Sequence, residues 1–170
     1  NAYSFGVSQS GRFLRLFLYL GLNRDEEGRI AFDGFIPHVA GGKMGEFNHR
    51  FAQPSSQATR SGNSLFPFTD VVQTDPQSGL ADGLLSRLSS QGDLPKIMYT
   101  HTPSEYWAGH GSLMHTNVTA EQDVEPPGEV RIYVFSSTQH ALATFPPADN
   151  DADGYHGQHS FNVIDYRALL

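Results

Sequence analysis

The chain has 170 residues, 11 basic and 18 acidic side chains, a net charge of −7 and no cysteine. An acidic chain without a Lys/Arg cluster argues against a nucleic-acid partner, and the lack of cysteine excludes disulfides, thiolate-bound zinc and a cysteine nucleophile. No apolar run reaches membrane-spanning length, because the longest candidate, 13–22, is short and contains Arg15.

Residues 2–7 (AYSFGV) predict a short buried strand. Over 9–22, Phe13, Leu14, Phe17, Leu18, Leu20 and Leu22 recur at a spacing that suits a helix buried on a broad face, ended by Gly21 and Asn23. Residues 32–40 (FDGFIPHVA) predict a second strand running into Gly41-Gly42. From 43 to 90 the pattern loosens, with Phe47, Phe51, Phe66 and Phe68 scattered among Gly, Ser, Gln, Pro and Asn. A stretch this long without periodicity reads as a cap-like or pocket-forming insertion, with one short helix near 80–88. KIMYT at 96–100, entered through Pro95, is the third strand. VRIYVF at 130–135, after the Pro126-Pro127-Gly128 turn, is the fourth. Residues 145–160 form a loop rich in Pro, Asp and Gly, and 165–170 open a helix.

Alternating strands and helices predict one α/β domain over 1–170, with a mostly parallel sheet covered by helices on both faces. In such sheets, functional residues gather beyond the carboxyl ends of the strands. The chain begins at Asn1 inside an apolar stretch and reads as the C-terminal piece of a longer protein. The expectation is a soluble protein, secreted or periplasmic if the preceding part carries a signal peptide.

Gly6-Val7-Ser8-Gln9-Ser10 joins the first strand to the first helix. A strand-to-helix turn this sharp needs small residues two before and two after a central nucleophile. Gly6 and Ser10 meet that need around Ser8, and Gly11 lets the helix approach the sheet. Ser10 as nucleophile would put Arg12 at a small position, so Ser8 is the candidate. Gln9 N–H, at the helix start, is a candidate oxyanion donor. The plainer alternative is that Ser8 only caps the helix.

A serine nucleophile needs a base, and the base needs an acid that fixes its tautomer. Of eight histidines, His140 stands just beyond the fourth strand. His38 lies inside a strand pattern, His49, His101, His110 and His115 lie in loops without such placement, and His156 and His159 follow no strand. Glu105 is the first carboxylate after the third strand, at a similar spacing. Asp123 is the reserve acid, and Asp33 and Asp70 fit less well. Tyr106, Trp107, Phe47 and Phe68 are candidates to line an apolar substrate pocket, or else belong to the core.

Taken together, AYSFGVSQSGRFLR, FDGFIPHVAGG, FNHRFAQPS, FPFTD, TDPQSGLADGLL, SEYW, SLMHT and VRIYVFSSTQHA resemble the bacterial α/β-hydrolase-domain family of esterase-like proteins through nearly the whole chain. The resemblance implies the C-terminal part of an α/β-hydrolase fold and a Ser–acid–His triad carried by Ser8, Glu105 and His140. It also implies that an N-terminal half supplies the first strands and a second oxyanion donor. The functional expectation is a serine hydrolase that cleaves a small carboxylic ester through an acyl-enzyme, without a cofactor. The alternatives are a non-catalytic binding scaffold, or a peptidase or thioesterase on the same triad.

Asp149-Asn150-Asp151-Ala152-Asp153-Gly154 matches the first half of a calcium loop. Ser160 stands at the twelfth position, where the bidentate Glu belongs, so Asp149, Asp151 and Asp153 are read as an acidic turn and no metal is expected.

Overall fold

The computed structural model describes residues 1–47, 66–136, 138, 140 and 141. In chain order its elements are β1 (Tyr3–Val7), α1 (Gln9–Tyr19), β2 (Gly34–His38), β3 (Gln73–Thr74), β4 (Ala81–Asp82), α2 (Ser86–Gln91), β5 (Lys96–His101), α3 (Pro103–Ala108) and β6 (Val130–Val134), with a 3-10 turn at Gly111–Met114 between α3 and β6. Four strands form one sheet in the order β1-β2-β5-β6. All three of its pairings are parallel, so the chain must cross over between successive strands.

Side chains alternate across a strand, and the register decides which of them meet. Phe35, Ile97, Tyr99 and Val130 point to one face and join Leu14 and Leu18 of α1 in the core. Each fully buried side chain of this kind contributes about 1.5–3 kcal/mol. Helix α1 packs on β1 and β2, and α2 packs on α1. On the opposite face, Tyr3, Phe5 and Val7 of β1 are 64%, 54% and 45% exposed. The expected cover on both faces is thus incomplete among the described residues.

The strands fall where the alternation puts them, β1, β5 and β6 within one residue of the expected length and β2 shorter by two residues at each end. Helix α1 ends at Tyr19, short of the expected Leu22, because Gly21 takes a left-handed φ of 73°. Gly21 N–H then donates to Leu18 C=O (3.0 Å) and Leu22 N–H to Phe17 C=O (3.2 Å). These are the two bonds of a Schellman stop.

The insertion holds an antiparallel ribbon, β3 with β4, which the sequence reading lacks. Asp75 makes its turn by accepting Gln77 N–H and Ser78 N–H. The helix expected near 80–88 is α2 and starts six residues later, because Ala81 and Asp82 are taken by the ribbon. Arg15 ties the insertion to α1: fully buried, it donates to Gly42 C=O at 3.2 Å and Phe68 C=O at 2.8 Å. Its guanidinium lies 5.3 Å from the Tyr99 ring centre, and Tyr99 O–H donates to buried Asp70 at 2.9 Å. Burial pushes the Asp70 carboxyl up to about 6, against the pull of Arg15 and the Tyr99 bond.

Candidate active site

The turn from β1 to α1 forces Ser8 into φ 54°, ψ −112°, a conformation that a side-chain-bearing residue adopts only under strain. Two backbone bonds hold it there: Ser8 N–H donates to His38 C=O at 2.8 Å, and Ser8 C=O accepts Arg12 N–H at 3.0 Å. The small neighbours have a visible reason. A methyl group on Gly6 would lie 2.6 Å from the Ser10 carbonyl oxygen, and one on Gly11 would lie 3.0 Å from Ala40 Cβ. Ser8 makes no side-chain capping bond to α1, and Gln9 is the first residue of that helix. The Ser8 Oγ instead lies 2.8 Å from His140 Nε2.

His140 sits beyond the carboxyl end of β6. The strand ladder is extended to Phe135, whose N–H donates to His101 C=O, and Thr138 O–H then caps Phe135 C=O at 2.6 Å. The His140 side chain is 43% exposed, and its Nδ1 lies 2.6 Å from Glu105 Oε1. Glu105 itself is buried in the first turn of α3. Its other oxygen, Oε2, accepts both Thr102 N–H at 2.7 Å and Thr102 O–H at 2.8 Å. Burial acts to raise the Glu105 pKa, but the bonds from His140 and Thr102 outweigh it and hold the carboxyl below its usual range. Ser8, His140 and Glu105 therefore form one hydrogen-bonded line across three strand ends.

The other candidates lie elsewhere. Ser10 is exposed, and Asp123 is exposed in a bridge with Thr116. Asp33 accepts the Ala2 N–H. His38 is buried, with Nδ1 2.8 Å from Thr100 Oγ1, and burial lowers its pKa. His101 is fully buried between Tyr99 and Tyr106, neither ring nitrogen has a partner among the described residues, and burial pushes its pKa down to about 4. His110 stacks on Phe68, and His115 meets the Tyr106 hydroxyl at 3.0 Å. His49, His156, His159 and the Asp149, Asp151 and Asp153 loop lie outside the described residues.

A cleft of about 350 Å³ opens beside His140 and Glu105, walled also by Arg12, Val39, Ala40 and Lys43. Tyr106, Trp107, Phe47 and Phe68 are not among its walls. Tyr106 packs on His101 and His115, Trp107 is 89% exposed, Phe47 meets Phe13 edge-on and Phe68 packs on Phe66. Sequence reasoning missed Arg12 and Lys43, which carry no motif. It also missed Thr102 and α3, although Thr102-Pro103-Ser104-Glu105 has the capping-box spacing that would have found both.

A parallel sheet with a serine on a strained strand-to-helix turn, and a histidine and carboxylate at the ends of later strands, defines the α/β-hydrolase class of folds. The chain belongs to the family described as alpha/beta hydrolase domain, whose model matches residues 1–163. Its function is accordingly of the hydrolase type. Comparison with curated proteins and with solved structures found no match. No described helix is long and apolar enough to cross a membrane.

Proposed function

We propose that this chain carries the catalytic residues of a carboxylic-ester hydrolase that works through an acyl-enzyme. Ser8 Oγ attacks the ester carbonyl carbon while His140 Nε2, 2.8 Å away, takes its proton. Glu105 holds the imidazole in the tautomer with Nδ1 protonated, and stabilises the imidazolium that forms. The carbonyl oxygen gathers negative charge, and Gln9 N–H, at the positive end of α1, donates to it. The tetrahedral intermediate collapses by breaking the bond to the alcohol, which leaves with the proton from His140. Water then attacks the acyl-Ser8 carbon, gives its proton to His140, and the acid departs as the proton returns to Ser8.

The observation that carries this reading is the unbroken line from Ser8 Oγ through His140 to Glu105 Oε1, at 2.8 and 2.6 Å. The strained backbone at Ser8 adds to it, since strain of that kind persists where function needs it. Ser8→Ala in the intact protein is expected to lower kcat on p-nitrophenyl esters by several orders of magnitude and to abolish labelling by a fluorophosphonate. Hydrolysis that survives the substitution would sink the assignment. A wild-type protein that binds esters but takes no label would be a non-catalytic scaffold.

A further inference from the structure

Glu105 is a buried carboxylate, and burial alone drives a carboxylate to give up its charge. Its two oxygens face different groups. Oε1 lies 2.6 Å from His140 Nδ1. Oε2 closes the start of α3 by accepting the Thr102 N–H at 2.7 Å, as the third residue of a capping box does.

The Thr102 hydroxyl does more than such a box asks of it. A capping hydroxyl works through its oxygen, which accepts a helix N–H, and its own proton has no part in the motif. Thr102 is fully buried, and that proton goes to Glu105 Oε2 at 2.8 Å. Oε2 is thus pinned by two donors of one residue, which fixes the carboxylate plane and leaves Oε1 for the imidazole. The same backbone also reaches the base. The peptide unit that carries the Thr102 N–H has the His101 C=O at its other side, and this accepts Phe135 N–H at 2.9 Å. Thr138, two residues before His140, caps the Phe135 C=O. One peptide plane therefore faces the acid with its N–H and the loop of the base with its C=O.

Basic groups act on the carboxylate from four sides: Arg12 of α1, His38 of β2, His101 of β5 and His140 beyond β6. Burial lowers the pKa of His38 and His101, so near neutral pH they lend Glu105 little charge. The hydrogen bonds described on its two oxygens come from His140 and Thr102.

We propose that Thr102 is a positioning residue of the hydrolytic reaction, whose hydroxyl, by donating to Oε2, turns Oε1 of Glu105 towards His140 and holds it there. This rests on Ser8, His140 and Glu105 being the reacting line. A plain helix cap is the alternative, and a cap would act on stability without acting through the acid.

Thr102→Val keeps the volume and removes the proton, whereas Thr102→Ser keeps the proton. In the intact protein, Thr102→Val is expected to lower kcat on p-nitrophenyl butyrate about tenfold or more with KM little changed, the worth of one hydrogen bond to a charged group. The acidic limb of its kcat/KM profile should move to higher pH by about one unit, because the carboxylate loses a donor that favours its charged form. Thr102→Ser should restore most of both. Thr102→Ala carries the same expectations and serves if Thr102→Val does not fold. A double-mutant cycle separates positioning from capping: in a Glu105→Gln background, Thr102→Val should cost less than about twofold further. An equal loss with and without the carboxylate would overturn the proposal, as would a Thr102→Val enzyme with wild-type kcat and pH profile, and either result in a protein that takes the fluorophosphonate label leaves the Ser8 reading intact. A wild-type protein that takes no label would remove the Ser8 reading, and this proposal with it.

Discussion

Ser8 stores strain in its own backbone. A non-glycine residue at φ 54°, ψ −112° is held against its preference at a cost on the order of 1–3 kcal/mol. Glycine adopts such angles freely but gives back ~0.5–1 kcal/mol of backbone entropy. Ser8→Gly is therefore expected to melt roughly 2–4 °C higher than wild type, a gain of ~1 kcal/mol, while losing ester hydrolysis. Calorimetry beside an activity assay checks this, and a lower melting temperature would show that no strain is stored there. At this scale the sequence was informative wherever a residue is tied to the end of a strand. Ser8, Glu105 and His140 each follow a strand, so the alternation of elements places them, and the structure joins them by hydrogen bonds. Arg12 and Lys43 were invisible because their meeting depends on how α1 packs against the loop after β2, which no local pattern encodes.

Among the elements, the β1–α1 turn depends most on a missing side chain. A methyl group at position 6 would meet the carbonyl oxygen and carbon of Ser10 at 2.6 and 2.8 Å, and backbone cannot move aside as a flexible side chain would. Gly6→Ala is expected to destabilise the fold by ~1–3 kcal/mol and to lower kcat by displacing Ser8. Denaturant unfolding with parallel kinetics tests both, and wild-type behaviour in both would mean the turn is looser than described. The same scale shows where element prediction failed. The β3–β4 ribbon has two residues per strand, too few for alternation to register, and α3 has six, too few for helical periodicity. Both were accessible only through their ends: Asp75 at the ribbon turn, and Thr102 with Glu105 at the helix start.

Across the whole molecule, two buried groups tie stability to pH in opposite directions. Asp70 titrates at about 6 in the fold, above its unfolded value near 3.8. The fold therefore binds its proton more tightly, and that contribution to stability is lost as pH rises through about 6. His101 titrates at about 4, below its unfolded value near 6.5, so its contribution is lost as pH falls through that range. The slopes oppose each other between about pH 4 and 6. Asp70→Asn should make stability rise more steeply with pH over that window, and His101→Phe should tilt it the other way. Melting temperatures at half-unit pH steps check this, and two variants that parallel the wild type would refute the buried titrations. The parallel sheet was legible from four short apolar runs separated by helix-length segments. The cover on its second face was not, since Tyr3, Phe5 and Val7 read as core residues yet lie exposed among the described residues.

Glu105 serves two neighbours with its two oxygens, His140 through one and the start of α3 through the other. The Thr102 amide proton consequently works as a built-in spectroscopic reporter on the carboxylate that faces His140. In a ¹⁵N-correlated NMR spectrum it should resonate well downfield, and its exchange with solvent deuterium should be slow. Glu105→Gln should move that resonance upfield, because a neutral amide oxygen accepts the bond less strongly. A Thr102 signal that ignores the substitution would mean that the helix start and the imidazole do not share this group. If the signal does respond, a single backbone amide allows the state of the acid to be followed without an assay.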